Sequence, residues 1–122
     1  MSLVLTLSLP PSLNSAFANG GKARGRIKTK VAYQWETLAK GELMMQKRRL
    51  VDPPYEVEYA LGEPKINRRR DCANYEKLLS DFLVKYNILT DDCQIRSLHI
   101  YWDKTVEPST ARLTITTIGK AE

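Results

Sequence analysis

Between positions 3 and 9 apolar residues alternate with Thr and Ser, and the alternation stops at Pro10 and Pro11. A period of two predicts a half-buried strand, and prolines, which have no N–H for a ladder, predict its end. Positions 12–28 are rich in Asn, Ser, Gly, Lys and Arg without periodicity, which predicts an exposed, mobile basic loop. Over 29–48, Val31, Trp35, Leu38, Ala39, Leu43 and Met45 recur at roughly helical spacing and predict a first helix with those residues inward. After Pro53 and Pro54, the residues Tyr55, Val57, Tyr59 and Leu61 alternate with Glu56, Glu58 and Ala60, the pattern of a second strand.

Gly62, Glu63 and Pro64 then punctuate the chain, and Asp71 stands where an N-cap belongs for a helix running to about Asn87. On steps of about 100°, Tyr75, Leu78, Leu79, Phe82, Leu83 and Tyr86 share one arc, while Asn74, Lys77 and Asp81 share a neighbouring polar flank. Beyond Thr90, Asp91 and Asp92, positions 95–102 and 111–118 read as two strands joined by a turn that contains Pro108. The expected order is β-α-β-α-β-β, an α+β domain whose mixed sheet carries both helices on one face.

A length of 122 residues without long Pro/Gly/Ser-rich interruptions predicts a single domain over 1–122. A domain this short buries only about two thirds of its unfolded surface, so a second subunit is a natural source of further burial. Apolar residues are 43% and charged residues 27% of the chain, a balance that folds and excludes disorder as the main state. Two cysteines without Cys-x-x-Cys spacing and a single histidine, His99, exclude a zinc cluster and a redox pair, and predict a reduced, cytoplasmic setting. The apolar start lacks a basic flank, so neither an export signal nor a membrane segment is expected.

The net charge of +5 is unevenly placed: Lys22, Arg24, Arg26, Lys28 and Lys30 form one stretch, Lys47, Arg48 and Arg49 a second, and Arg68, Arg69 and Arg70 a third. One such run is ordinarily a solvated face; three of them beside carboxylates point to a polyanionic partner, held by contacts that weaken as salt rises. The richest chemistry lies between Arg68 and Lys77 and at Asp91-Asp92, where carboxylates, an amide and bases gather about the ends of one helix. Magnesium takes hard oxygen ligands and binds through one or two carboxylates, leaving room for water and phosphate, a need that Asp71 and Asp92 could meet. Lys77 could then neutralise charge developing on phosphate. The same aspartates also read as a helix cap and a turn into a strand, and spacing alone leaves both readings open.

Taken together, the Pro-Pro-Ser-x-Asn turn (Pro10, Pro11, Ser12, Asn14), the Arg-Arg-Arg-Asp-x-x-Asn-x-x-Lys stretch (residues 68–77) and the Leu-x-Asp-Asp element (Leu89, Asp91, Asp92) resemble the RusA family of Holliday-junction resolvases. The resemblance spans nearly the whole chain. It implies a homodimer acting on four-way junctions and other branched DNA, with magnesium as cofactor, manganese as its substitute, and no organic cofactor. It implies Asp71 and Asp92 as metal ligands, Asn74 as an orienting group and Lys77 as a stabiliser of the transition state. Asn14 and the basic residues 22–30 and 68–70 become candidate DNA contacts. The chain departs from the family at Ala73, where a second aspartate is expected; Asp91, Asp81 or Glu76 could supply that charge. The alternative is a branched-DNA-binding protein that does not cut. A basic RNA-binding domain is a third, weaker reading, since no RNA-recognition signature is present.

Overall fold

The computed structural model describes residues 2–12, 17–19, 26–65 and 71–119. Strand β1 (Ser2–Ser8) is followed by a short antiparallel ribbon of β2 (Phe17–Asn19) and β3 (Arg26–Lys28), helix α1 (Lys30–Met44) and strand β4 (Tyr55–Leu61). A 3-10 turn (Cys72–Tyr75) leads into helix α2 (Glu76–Lys85), and a second one (Asp92–Gln94) leads into β5 (Ile95–Trp102) and then β6 (Thr110–Thr117). The main sheet has the order β1-β6-β4-β5, with β4 and β5 parallel and the other pairs antiparallel. A parallel pair needs a long crossover, and α2 supplies it. No helix among the described residues is long and apolar enough to cross a membrane.

Period-two alternation builds the core. Leu3, Leu5 and Leu7 of β1, Tyr55, Val57, Tyr59 and Leu61 of β4, and Ala111, Leu113 and Ile115 of β6 are all buried. Register sets Leu113 directly between Leu5 and Tyr59, so one leucine packs against both neighbouring strands. The helices close over the same cluster, and where they meet, the rings of Trp35 and Phe82 are 5.3 Å apart.

The edge strand β1 is covered by side chains of α1 and its C-terminal turn. The Gln46 amide accepts from the Thr6 N–H at 2.8 Å and donates to the Thr6 carbonyl at 2.5 Å. Glu42 accepts from the Ser8 N–H at 2.8 Å, and the Trp35 indole donates to the Ser8 carbonyl at 2.8 Å. These contacts occupy backbone groups that could otherwise recruit another strand.

The expected α+β architecture is present, with three corrections. Residues 12–28, expected as a loop without secondary structure, include the β2–β3 ribbon, whose three pairs are too short to show an alternating pattern. Helix α1 is shorter than expected: Thr29 caps its start, its hydroxyl accepting from the Ala32 N–H, and the helix ends at Met44 with Met45 as its C-cap, short of Arg48. Its buried face comprises Ala32, Trp35, Glu36, Ala39 and Leu43, whereas Val31, Leu38 and Met45, expected inward, are 52%, 54% and 87% exposed. The second helix opens as a 3-10 turn and ends at Lys85, and Asn87, at φ 64°, takes the left-handed conformation that Asn tolerates.

Leu113→Ala removes a fully buried side chain from the centre of the sheet. It should cost about 2–5 kcal/mol by urea unfolding, against about 0.5 kcal/mol or less for Val4→Ala on the exposed edge strand. Equal losses would contradict this placement of the core.

Candidate active site

Two aspartates begin the two 3-10 turns in the same way. The Asp71 carboxylate accepts from the Ala73 N–H at 3.1 Å and its carbonyl from the Asn74 N–H at 3.0 Å. The Asp91 carboxylate accepts from the Cys93 N–H at 3.0 Å and its carbonyl from the Gln94 N–H at 3.2 Å. Both residues have extended backbones, the N-cap conformation. The capping alternative is therefore real for both, and each carboxylate keeps lone pairs beyond the one in use.

Helix α2 carries the rest of the site because one face of it is committed to the core. Leu78, Leu79, Phe82 and Leu83 are buried, which leaves Lys77 and Asp81 exposed one turn apart, with Lys77 Nζ 3.3 Å from the Asp81 carboxylate. The turn before β5 brings Asp92 within electrostatic reach of both. The Asp92 carboxyl is raised above its ordinary value, first by a hydrogen bond shared with Asp91, then by desolvation and by the charges of Asp91 and Asp81, against the opposing pull of Lys77. The Asp91 carboxyl is lowered, chiefly by the Cys93 N–H and then by its bond with Asp92. The two titrate as a pair, with Asp92 taking the proton first as pH falls.

Thus Asp92 lies within electrostatic reach of Asp91, Asp81 and Lys77, all of them exposed, and Asp71 is exposed at its own cap. No three His, Cys, Asp or Glu side chains among the described residues are grouped closely enough to hold a metal ion. The Asp91–Asp92 pair nevertheless offers hard, mutually repelling oxygen donors, and a small divalent cation needs only one or two protein carboxylates. On donor chemistry, these residues fit magnesium or manganese.

A buried polar chain lies beneath the flank, and sequence reasoning missed it. The Tyr59 hydroxyl, in the core, is 2.9 Å from Ser80 Oγ, which in turn donates to Glu76 Oε2 at 2.5 Å. Burial pushes the Tyr59 phenol above its ordinary value, and the nearby charges of Glu76, Asp81 and Asp92 add to the shift. Glu76, one candidate to replace the carboxylate missing at Ala73, is thus committed to Ser80. The available signal was Ser80 itself, a hydroxyl on an otherwise apolar helix face that had to find a buried partner.

Of the basic candidates, Lys28 and Lys30 are described, while Asn14, Lys22, Arg24 and the triplet at 68–70 lie outside the described residues; Arg26 is placed in β3 by its backbone. Lys30 is exposed. Lys28 is not free: its ammonium meets the Glu36 carboxylate and lies 5.0 Å from the Tyr33 ring centre. Glu36 also accepts from Lys85 at 2.5 Å and from the Tyr86 hydroxyl at 2.8 Å, tying β3, α1 and α2 to one carboxylate. A cleft of about 160 Å³ runs from this junction to Asp81. His99 sits on the open face of the sheet, 3.8 Å from Glu58 and stacked on Tyr101.

The family model for the endodeoxyribonuclease RusA matches residues 8–117 of the 122-residue chain. No individually curated protein matches it.

Burial would raise the Glu36 carboxyl, but hydrogen bonds from Lys28, Lys85 and Tyr86 prevail and hold it at about 2, below its ordinary 4.5. A lowered carboxyl contributes stability above its unfolded value and loses it as pH falls through the folded one. Between pH 5 and 2 the wild type should therefore lose a component of stability that Glu36→Gln lacks. Parallel acid-unfolding curves for the two proteins would contradict the arrangement.

Proposed function

Since the chain belongs to the RusA family of endodeoxyribonucleases, we propose that it resolves Holliday junctions and related branched DNA by magnesium-dependent hydrolysis of phosphodiesters. It acts in the cytoplasm as a homodimer that makes paired, symmetric nicks. The observation that carries the reading is the exposed Lys77–Asp81 pair on α2 with Asp92, hydrogen-bonded to Asp91, within its electrostatic reach, in a chain that the nuclease family model covers almost end to end. A four-way junction has approximate two-fold symmetry, and a C2 dimer offers it two equivalent sites.

Bound magnesium supplies a water of lowered pKa and a positive charge for the leaving oxygen. Asp92 and Asp91 would hold the cation, and Asp71, at its own cap before the catalytic helix, would join them as a ligand only by a movement of that turn toward them. Asn74, one turn beyond Asp71, orients the phosphate through its amide. Lys77 places an ammonium against the charge that grows on the phosphate oxygens, a stabilisation worth most where water is scarce. Asp81, 3.3 Å away, holds that ammonium in place when DNA is absent. Lys22, Arg24, Arg26, Lys30 and the triplet at 68–70 neutralise the phosphates of the junction arms, while Lys28 stays with Glu36.

Ala73 favours a second reading, a protein that binds branched DNA without cutting it. It is exposed on the turn after Asp71 and places a methyl group where the resemblance expects a carboxylate. In the leading reading Asp91 and Asp81 supply that charge instead.

Asp92→Asn keeps the size of the side chain and removes its charge. It should abolish nicking of a synthetic junction, by more than the roughly 10–100-fold typical of an outer-shell partner, and weaken manganese binding measured by calorimetry. Ala73→Asp should strengthen both. A wild type that binds the junction but nicks only once Asp is restored at position 73 would establish the binding-protein reading.

A further inference from the structure

Strand β5 pairs with β4 through an irregular step. Tyr55 lies opposite Ile95, but Glu56 lies opposite Ser97, so Arg96 is an extra residue with no partner across the ladder. The apolar positions explain the bulge. Ile100 and Trp102, which pack on the core, lie opposite the buried Tyr59 and Leu61 on even positions, with the exposed Leu98 in the same register, whereas Ile95, also packed on the core, lies opposite the buried Tyr55 from an odd one. One residue must be passed over for Ile95 to join the others on the core side, because a shift of one reverses a strand's faces. Bulges re-aim side chains and recur beside active sites.

Here the residue passed over is a cation that follows directly on the acidic turn. Arg96 is exposed, and its Nη1 donates to the Cys93 carbonyl at 2.6 Å. The N–H of the same Cys93 is held by Asp91 at 3.0 Å. One residue of the turn therefore anchors a carboxylate of the candidate site through its N–H and a guanidinium through its carbonyl. Lys28, Lys77, Lys85 and Arg112 each have a carboxylate partner; Arg96, like Lys30 and Arg48, has none among the described residues, and what sets it apart is its bond to the acidic turn. Its orientation is fixed by a neutral acceptor, and its other donors and its full charge face outward. A guanidinium fixed at one corner is preorganised for bidentate contact with a tetrahedral anion.

We infer that Arg96 grips a DNA phosphate beside the Asp91–Asp92 pair and sets the scissile linkage in register with it. The inference rests on the nuclease reading and adds a positioning residue to it. Arg96 is four residues from Asp92, at the start of the strand that leaves the acidic turn, and its bond to Cys93 ties it to that turn.

The test is equilibrium binding of a fluorescent four-way junction in chelator across a range of salt, for wild type, Arg96→Gln and Arg96→Lys. Manganese affinity and thermal midpoint are measured in parallel. Gln removes the charge and the fork and is two bonds too short to reach the Cys93 carbonyl from the same rotamer, so the thermal midpoint reports whether the turn survives the loss of that bond. Arg96→Gln should weaken binding roughly tenfold and make the slope of log affinity against log salt shallower by about 1, at an unchanged thermal midpoint. Arg96→Lys should restore the slope but not the full affinity, since a point charge replaces the fork. If Arg96 serves only as a counter-ion to the aspartates, Arg96→Gln will tighten manganese binding and leave DNA affinity and slope unchanged, which overturns the proposal and leaves the nuclease reading standing. A wild type with no salt-dependent junction binding overturns the nuclease reading itself, and the grip with it.

Discussion

The orientation of α2 is the constraint on which the site depends. Its apolar arc must be buried against the sheet, and a polar bond inside the core fixes its rotation further: Ser80, on that arc, lies 2.9 Å from the hydroxyl of buried Tyr59 on β4. A buried hydroxyl without a partner carries a desolvation cost of about 1–3 kcal/mol, so Tyr59 and Ser80 hold each other in place. With that face fixed, Lys77 and Asp81 have one direction left to face. The crossover from α2 to the parallel strand β5 then delivers Asp91 and Asp92 to the same flank.

The charge of the site follows from the same geometry. Asp91 and Asp92, neighbours at the end of the crossover, share a hydrogen bond and repel each other as anions, and the Asp92 carboxyl is raised above its ordinary value. Such a pair is poorly arranged for stability and well arranged to receive a cation, the usual trade at a functional site. Glu36 is the opposite case. It is nearly buried yet held as an anion by Lys28, Lys85 and Tyr86, so it joins the base of the ribbon to both helices instead of offering a vacant charge.

How much of this was legible in the sequence depended on whether one face of a segment dominated. Positions 55–61 alternate strongly and coincide with β4, positions 95–102 coincide with β5 and alternate from Leu98 onward, and the arc from Tyr75 to Leu83 is buried as its spacing implies. Helix α1 misled because apolar residues occupy two of its faces. Val31 and Leu38 compete with Ala32 and Ala39, and the small alanines prevail because they let α1 sit close over the core, a choice made by tertiary packing. The burial of Glu36 had no local signal, since its three partners lie on three elements. At the site, the clustering of Asp71, Asn74, Lys77, Asp91 and Asp92 along the chain was readable. The pairing of Lys77 with Asp81 needed only a four-residue spacing, whereas the commitment of Glu76 to Ser80 required the core. The bulge at Arg96 had a trace, the break in alternation between Ile95 and Leu98, which gains meaning only once β4 is known to be its parallel partner.

The most direct measurement is to map the nicks in each strand of a synthetic four-way junction incubated with the protein and magnesium, beside a linear duplex of the same sequence. A dimeric resolvase built on this site predicts nicks at symmetric positions in two strands of like polarity, in the junction alone and dependent on the metal. Cleavage of the linear duplex to the same extent, or no cleavage of either, would contradict the account.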